Sequence, residues 1–158
     1  MTGRVVAVVG ASEASDEECE RAEAVGRELA RHGALVVCGG LGGVMAAACR
    51  GAKAEGGATL GILPGTDRRV ANAWVDVAVP TGMGEGRNIL VVRAADAVVA
   101  IGGEYGTLSE IAFALKIGTP VVGMATWALD PIVRVDDPGT AARTALTLAT
   151  EHMEGEHK

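Results

Sequence analysis

The sequence predicts an α/β fold: a single domain on a doubly wound, Rossmann-like parallel sheet with helices on both faces. Three observations carry this. Short apolar runs at residues 5–9, 34–38, 59–63, 75–79, 96–101 and 121–124 alternate with helical patterns. Runs so nearly free of polar residues suit strands covered on both faces. Glycine clusters follow the first five of these runs, where a doubly wound sheet binds its ligands. The 158 residues include 49% hydrophobic but only 3% aromatic side chains. Valine, alanine, leucine and isoleucine must then build the core, which suits close packing of helix on sheet.

The elements follow in order. The run at 5–9 ends at Gly10-Ala11-Ser12, and Ser15-x-x-Glu18 is a capping box that opens a helix. Ala22, Val25, Gly26 and Leu29 share one face of that helix, and Gly33 closes it. After the second strand, Gly39-Gly40-Leu41-Gly42-Gly43 leads into an alanine-rich helix to about residue 53. The third strand stops at Pro64-Gly65, and a polar stretch over residues 66–73 holds the basic pair Arg68-Arg69. Pro80 opens a second loop with glycines at 82, 84 and 86, followed by a helix over 87–94. The fifth strand gives way to Gly102-Gly103-Glu104-Tyr105-Gly106-Thr107 and a helix over 107–117, which Gly118-Thr119-Pro120 ends. Leu108, Ile111, Ala112 and Leu115 are its expected core stripe. After the sixth strand, Asp136 or Asp137 caps a last helix with Pro138 in its first turn. Residues 1–150 form the domain, and 151–158 are expected to fray.

Charge and cysteine usage exclude several classes. A net charge of −6, with no cluster of Lys and Arg, argues against nucleic acid or an anionic membrane as partner. No apolar run reaches a membrane-spanning length, and the first residues lead into a strand instead of a signal peptide. Cys19, Cys38 and Cys49 lack CxxC spacing and read as reduced, mostly buried thiols of a cytoplasmic protein. His32, His152 and His157 have no metal-ligand spacing, and no metal site is expected.

The candidate site is a phosphate cradle at the end of the fifth strand. Gly102, Gly103 and Gly106 let main-chain N–H groups approach an anion, with Glu104, Tyr105 and the Thr107 hydroxyl beside them. An ordinary tight turn also favours glycine, but three in five residues exceed that need. Gly10 and Ser12, and Gly40, Gly42 and Gly43, supply further turns at neighbouring strand ends. The 39–43 run departs from the dinucleotide fingerprint and lacks its acidic residue, so a shorter ligand fits better. Glu110 has two readings: Thr107-Leu108-Ser109-Glu110 matches a capping box, or the carboxylate faces the ligand. Arg87, at an expected helix start, opposes the helix dipole, so an anion or a salt bridge to Glu85 would hold it there. Arg87→Ala is then expected to weaken ligand binding without unfolding the domain. Asn88 reads either as a helix cap or as a base-reading amide.

Gly-Gly-x-x-Gly-Thr-x-x-Glu over 102–110, preceded by Ala95-Asp96-Ala97 and with Arg87 upstream, resembles the Lonely Guy family of phosphoribohydrolases. Gly43-Val44-Met45 is similar too. Pro64-Gly65-x-Asp67-Arg68, Ala71-Asn72, the stretch Pro80-Thr81-Gly82-Met83-Gly84-Glu85-x-Arg87-Asn88 and Leu108-Ser109-Glu110 resemble more closely the molybdenum cofactor carrier proteins and their bacterial relatives. The likeness implies a homodimer or homotetramer and a small phosphorylated ligand, with no required cofactor beyond a bound nucleotide or molybdopterin-type group. It implies a carrier or sensor; the alternative is cleavage of a nucleoside 5′-monophosphate to free base and ribose 5-phosphate, with Arg87 and Glu110 as the catalytic pair. The chain departs from the phosphoribohydrolases in having Ile101-Gly102-Gly103 for Pro-Gly-Gly, and Gly86-Arg87-Asn88 for Glu-Arg-Lys. A third reading leaves the site vestigial, with the alanine-rich helix near 44–54 packing a dimer.

Overall fold

The computed structural model describes residues 3–156. Seven parallel strands form one sheet: β1 (Val5–Gly10), β2 (Leu35–Cys38), β3 (Thr59–Leu63), β4 (Val77–Pro80), β5 (Ala97–Ile101), β6 (Val121–Met124) and β7 (Val133–Arg134). Their spatial order is β4-β3-β2-β1-β5-β6-β7. The order reverses between β1, the first strand laid down, and β5, and such a switch point opens a crevice at the strands' carboxyl ends. Among the described residues, five α-helices cover the sheet: α1 (Asp16–Arg31), α2 (Val44–Ala54), α3 (Asn88–Arg93), α4 (Tyr105–Ile117) and α5 (Pro138–Glu156).

Strand alternation splits the core in two. Val6, Val8, Val36, Val99 and Ile101 meet α1, α2 and α5 on one face. Ala7, Val9, Val37, Val98 and Ala100 meet α3 and α4 on the other. The capping box of α1 forms as the pattern demands: Glu18 N donates to Ser15 Oγ and Ser15 N to the Glu18 carboxylate, both at 3.1 Å. The Asp137 carboxylate accepts from Thr140 N at 2.8 Å at the start of α5.

Several expected elements shift. β4 begins at Val77 because Val75 turns inward against Cys38, Met45 and Cys49. The turn before α3 is a 3₁₀ turn over Gly84–Arg87. β7 is a seventh strand, two residues long, that no apolar run announces. α5 continues to Glu156, since Ala141, Ala142, Ala145, Leu146 and Ala149 bury one long stripe; residues 151–156 are therefore helical instead of frayed. His157 lies outside the described residues.

The alanine-rich face of α2 packs within the chain, against α1. It packs on α1 so closely that a Cβ on Gly26 would overlap the Ala48 carbonyl oxygen, and one on Gly51 would overlap that of Glu23. Glycine-to-alanine changes inside helices ordinarily gain about 1 kcal/mol. Here the collision is with backbone, and overpacking costs roughly 1–3 kcal/mol. Gly26→Ala is thus expected to lower the urea midpoint; a raised midpoint would show that the two helices yield freely.

Candidate functional site

A cleft of about 430 Å³ opens at the carboxyl ends of β1, β2, β3 and β5, over the switch point. Gly10, Ser12, Arg87, Asn88, Glu104, Gly106, Thr107 and Glu110 line it, as do Ala11, Glu13, Leu41, Met45, Pro64 and Glu85. Leu41, Met45, Pro64 and Glu85 lay within motifs legible in the sequence; Glu13 carried no signal.

Gly40, Gly42, Gly43, Gly102, Gly103 and Tyr105 fall outside the lining and shape the walls. Gly43 takes φ +60° where the Ala11 and Ser12 carbonyls pass against it, and Val44 N donates to Ala11 O at 3.1 Å. This joins the first two glycine turns, with Gly42 also facing the Ser12 carbonyl. Gly40 O accepts from Asn72 N at 2.9 Å. Gly102 N donates to Met124 O at 3.0 Å, so that amide is spent. Gly103 takes φ +89°, and the Thr107 side chain fills the space a Cβ would need. Tyr105 is 79% exposed, its ring centroid 6.0 Å from that of Trp127.

Among the described residues, the amides of residues 103–107 donate no hydrogen bond. They run from the glycine turn through the cap into the first residues of α4, whose N-terminus carries positive partial charge. The turn is braced from outside: Thr126 Oγ1 donates to Gly102 O at 2.6 Å and Trp127 Nε1 to Glu104 O at 3.1 Å.

Glu110 does not cap this helix. α4 starts two residues before Thr107, Glu104 takes the cap position, and Leu108 N donates to Glu104 O at 2.9 Å. The buried stripe is Thr107, Glu110, Ile111 and Ala114, while Ala112 is exposed. Glu110 thus lies on the buried face, 9% exposed and without a hydrogen bond among the described residues. Loss of water pushes its carboxyl up to about 8; the Arg87 charge pulls the other way, without a hydrogen bond between the two.

Arg87 is 7% exposed and does not pair with Glu85. Its Nε donates to Ile62 O at 2.9 Å and Nη2 to Gly39 O at 3.3 Å, so one guanidinium joins the ends of β2 and β3. Nη1 donates to Asn88 Oδ1. Asn88 Nδ2 donates to Ser109 Oγ at 3.0 Å, which donates to Gly106 O at 2.6 Å. Asn88 is thus not the cap of α3; it lines the cleft and links Arg87 to the first turn of α4. A guanidinium has five N–H donors, so two remain for a ligand.

No helix among the described residues is long and apolar enough to cross a membrane. The chain is 42% identical over 119 residues to an uncharacterised protein of Archaeoglobus fulgidus, spanning 75% of this chain and 78% of that one. Its fold is similar to the molybdenum cofactor binding protein of Rippkaea orientalis (TM-score 0.83, 29% identity, 100% of this chain and 99% of that one). It is likewise similar to the molybdenum cofactor carrier protein of Chlamydomonas reinhardtii (TM-score 0.86, 30% identity, 95% and 99%). The model of the SLOG cluster4 family matches residues 3–152. The kinship expected from the motifs at 64–68, 80–88 and 102–110 is thus met, and this chain belongs to the SLOG cluster4 family.

Proposed function

We propose that the cleft binds a small phosphorylated ligand built on a planar heterocycle, a nucleotide or phosphorylated pterin, and that the protein acts as its carrier or sensor. The observation that carries this is the set of unpartnered amides at residues 103–107 beside a cleft of about 430 Å³. The carboxylates of Glu13, Glu85 and Glu104 are exposed at the rim. A phosphate must then be held from within, by those amides and the two spare donors of Arg87. The relatives named for molybdenum cofactor binding support a pterin-type cargo. Self-association belongs to the same reading, supported by the exposed Val77 and Val79 on edge strand β4 and nearby Val70 and Met83. The free thiols suit a cytoplasmic setting.

One observation favours a second reading, cleavage of a nucleoside 5′-monophosphate. With its carboxyl pushed up to about 8, Glu110 carries a proton at neutral pH and can act as an acid in the cleft. The C1′–N bond would break as that proton passes to the leaving base. Water would add to C1′ and return a proton to the carboxylate.

Melting curves with AMP, other nucleoside monophosphates and inorganic phosphate, with assay for free base, separate the readings. Binding at about 100 times Kd stabilises by roughly 2.7 kcal/mol. At roughly 2–4 °C per kcal/mol for a chain of this size, the melting temperature rises by about 5–10 °C. A saturable shift without free base supports the carrier, and free base in excess over protein supports the enzyme. No shift with any phosphorylated compound would leave the site vestigial.

A further inference from the structure

Among the described residues no three His, Cys, Asp or Glu side chains gather around a point that could hold a metal ion. Three sulfur-bearing residues do pack into one cluster. Cys38 ends β2, and Met45 and Cys49 stand four residues apart on α2, hence on one face of it. The two cysteine sulfurs are 3.5 Å apart and fully buried. Met45 completes this small cluster, which Leu41 and Val75 close. Gly40 N donates to Cys38 Sγ at 3.3 Å. The Cys49 thiol beside it, that amide and the Arg87 charge hold the Cys38 thiol below its ordinary value, while Cys49 is pushed up.

We propose that Cys38, Cys49 and Met45 form a site for one soft monovalent cation of the Cu(I) class, set behind the wall of the cleft. Thiolate and thioether ligands select Cu(I) over harder ions. A structural zinc site needs four donors, and the apolar Leu41 and Val75 offer none. The nearby Asn72 side chain donates to Leu41 O at 2.9 Å, accepts from Trp74 N at 3.0 Å and stands beside Cys49 as a neutral hydrogen-bonding amide. Two thiolates each about 2.3 Å from one metal, the length known for zinc, stand roughly 4.0 Å apart at the angle of about 120° that a three-donor site takes. The observed 3.5 Å needs only a small opening. As the cation enters, two metal–sulfur bonds form, both S–H protons leave to solvent, and no electron is transferred. Two thiolates and one monovalent cation leave one negative charge, which the Arg87 charge already faces. Met45, lining the cleft, is the point of entry.

The test uses the full chain with Cys19→Ser, which removes the half-buried third thiol. Cu(I), kept reduced by ascorbate without oxygen, is titrated against bicinchoninate. One ion per chain is expected, with sulfur-only ligation in X-ray absorption. Cys38→Ser and Cys49→Ser should each weaken binding by roughly a hundredfold or more, and Met45→Leu by roughly tenfold. Leucine matches methionine in volume, so that variant folds and reads the sulfur alone. The proposal is overturned if the chelator keeps all the copper, if Met45→Leu binds as tightly as its parent, if Zn²⁺ displaces the copper at equal concentration, or if Cys38 and Cys49 stay joined as a disulfide under reductant.

Discussion

Glu110→Gln is expected to be more stable than the parent protein at pH 9 and equal to it near pH 4. An unfolded glutamate titrates near 4.3. The folded protein holds this carboxyl up to about 8, because burial removes the water that would solvate its charge, and Arg87 only partly offsets that loss. Between these values the folded state keeps a proton that the unfolded state has released. Its folded pKa is raised, so the contribution to stability is fully present below about pH 4 and is lost as pH rises toward 8. The loss amounts to up to about 5 kcal/mol at 1.36 kcal/mol per unit. Glutamine keeps the shape, has no proton to lose, and escapes the decline. Urea midpoints for both proteins from pH 4 to 10 measure the difference, and carboxylates that the substitution leaves untouched cancel in it. Parallel curves would mean that Glu110 is hydrated and ionised at neutral pH. The same titration bears on the proposed ligand: above pH 8 a negative carboxylate would face the phosphate, so affinity should fall there.

The same local pattern succeeded at one helix and misled at another. Ser15-x-x-Glu18 and Thr107-x-x-Glu110 are both capping boxes on paper, and only the first forms one. α1 starts at the surface, and the Glu18 carboxylate reaches back to Ser15 N while lying against Gly102. α4 starts two residues early, at the bracing of the 102–105 turn by Thr126 and Trp127, and this rotates Glu110 onto the buried stripe. A sequence window of four residues contains none of those partners. The strands were legible because burial on both faces writes itself into consecutive residues: Thr59–Leu63 and Val121–Met124 begin and end where their apolar runs do. β7 escaped notice because two exposed residues leave no run. The cleft was placed by its glycine turns, but its buried polar connections join residues 25 and 48 positions apart. The Cys38–Cys49 contact is similar, created by a strand end meeting a helix face without any CxxC spacing.

Arg87→Ala is expected to lose both ligand response and stability, which departs from the sequence-based expectation of a binding defect alone. The guanidinium is 7% exposed and gives Ile62 O, Gly39 O and Asn88 Oδ1 their hydrogen bonds. Each buried acceptor left unpaired costs about 1–3 kcal/mol, although water entering through the adjoining cleft satisfies some of them. A net loss of about 3 kcal/mol follows, or roughly 10 °C in melting temperature for a chain of this length. Arg87→Lys separates charge from geometry. An ammonium keeps the positive charge near Glu110, but its three donors radiate from one atom and cannot reproduce the planar fork. If charge alone mattered, lysine would restore both the melting temperature and the ligand-induced shift. The arrangement of three acceptors around one plane predicts instead that lysine recovers less than half of the lost stability. It also predicts that the amides of residues 103–107, no longer tied through Asn88 and Ser109 to the ends of β2 and β3, bind phosphate weakly in both variants. A melting temperature for Arg87→Ala within a degree of the parent would show that the guanidinium holds nothing together.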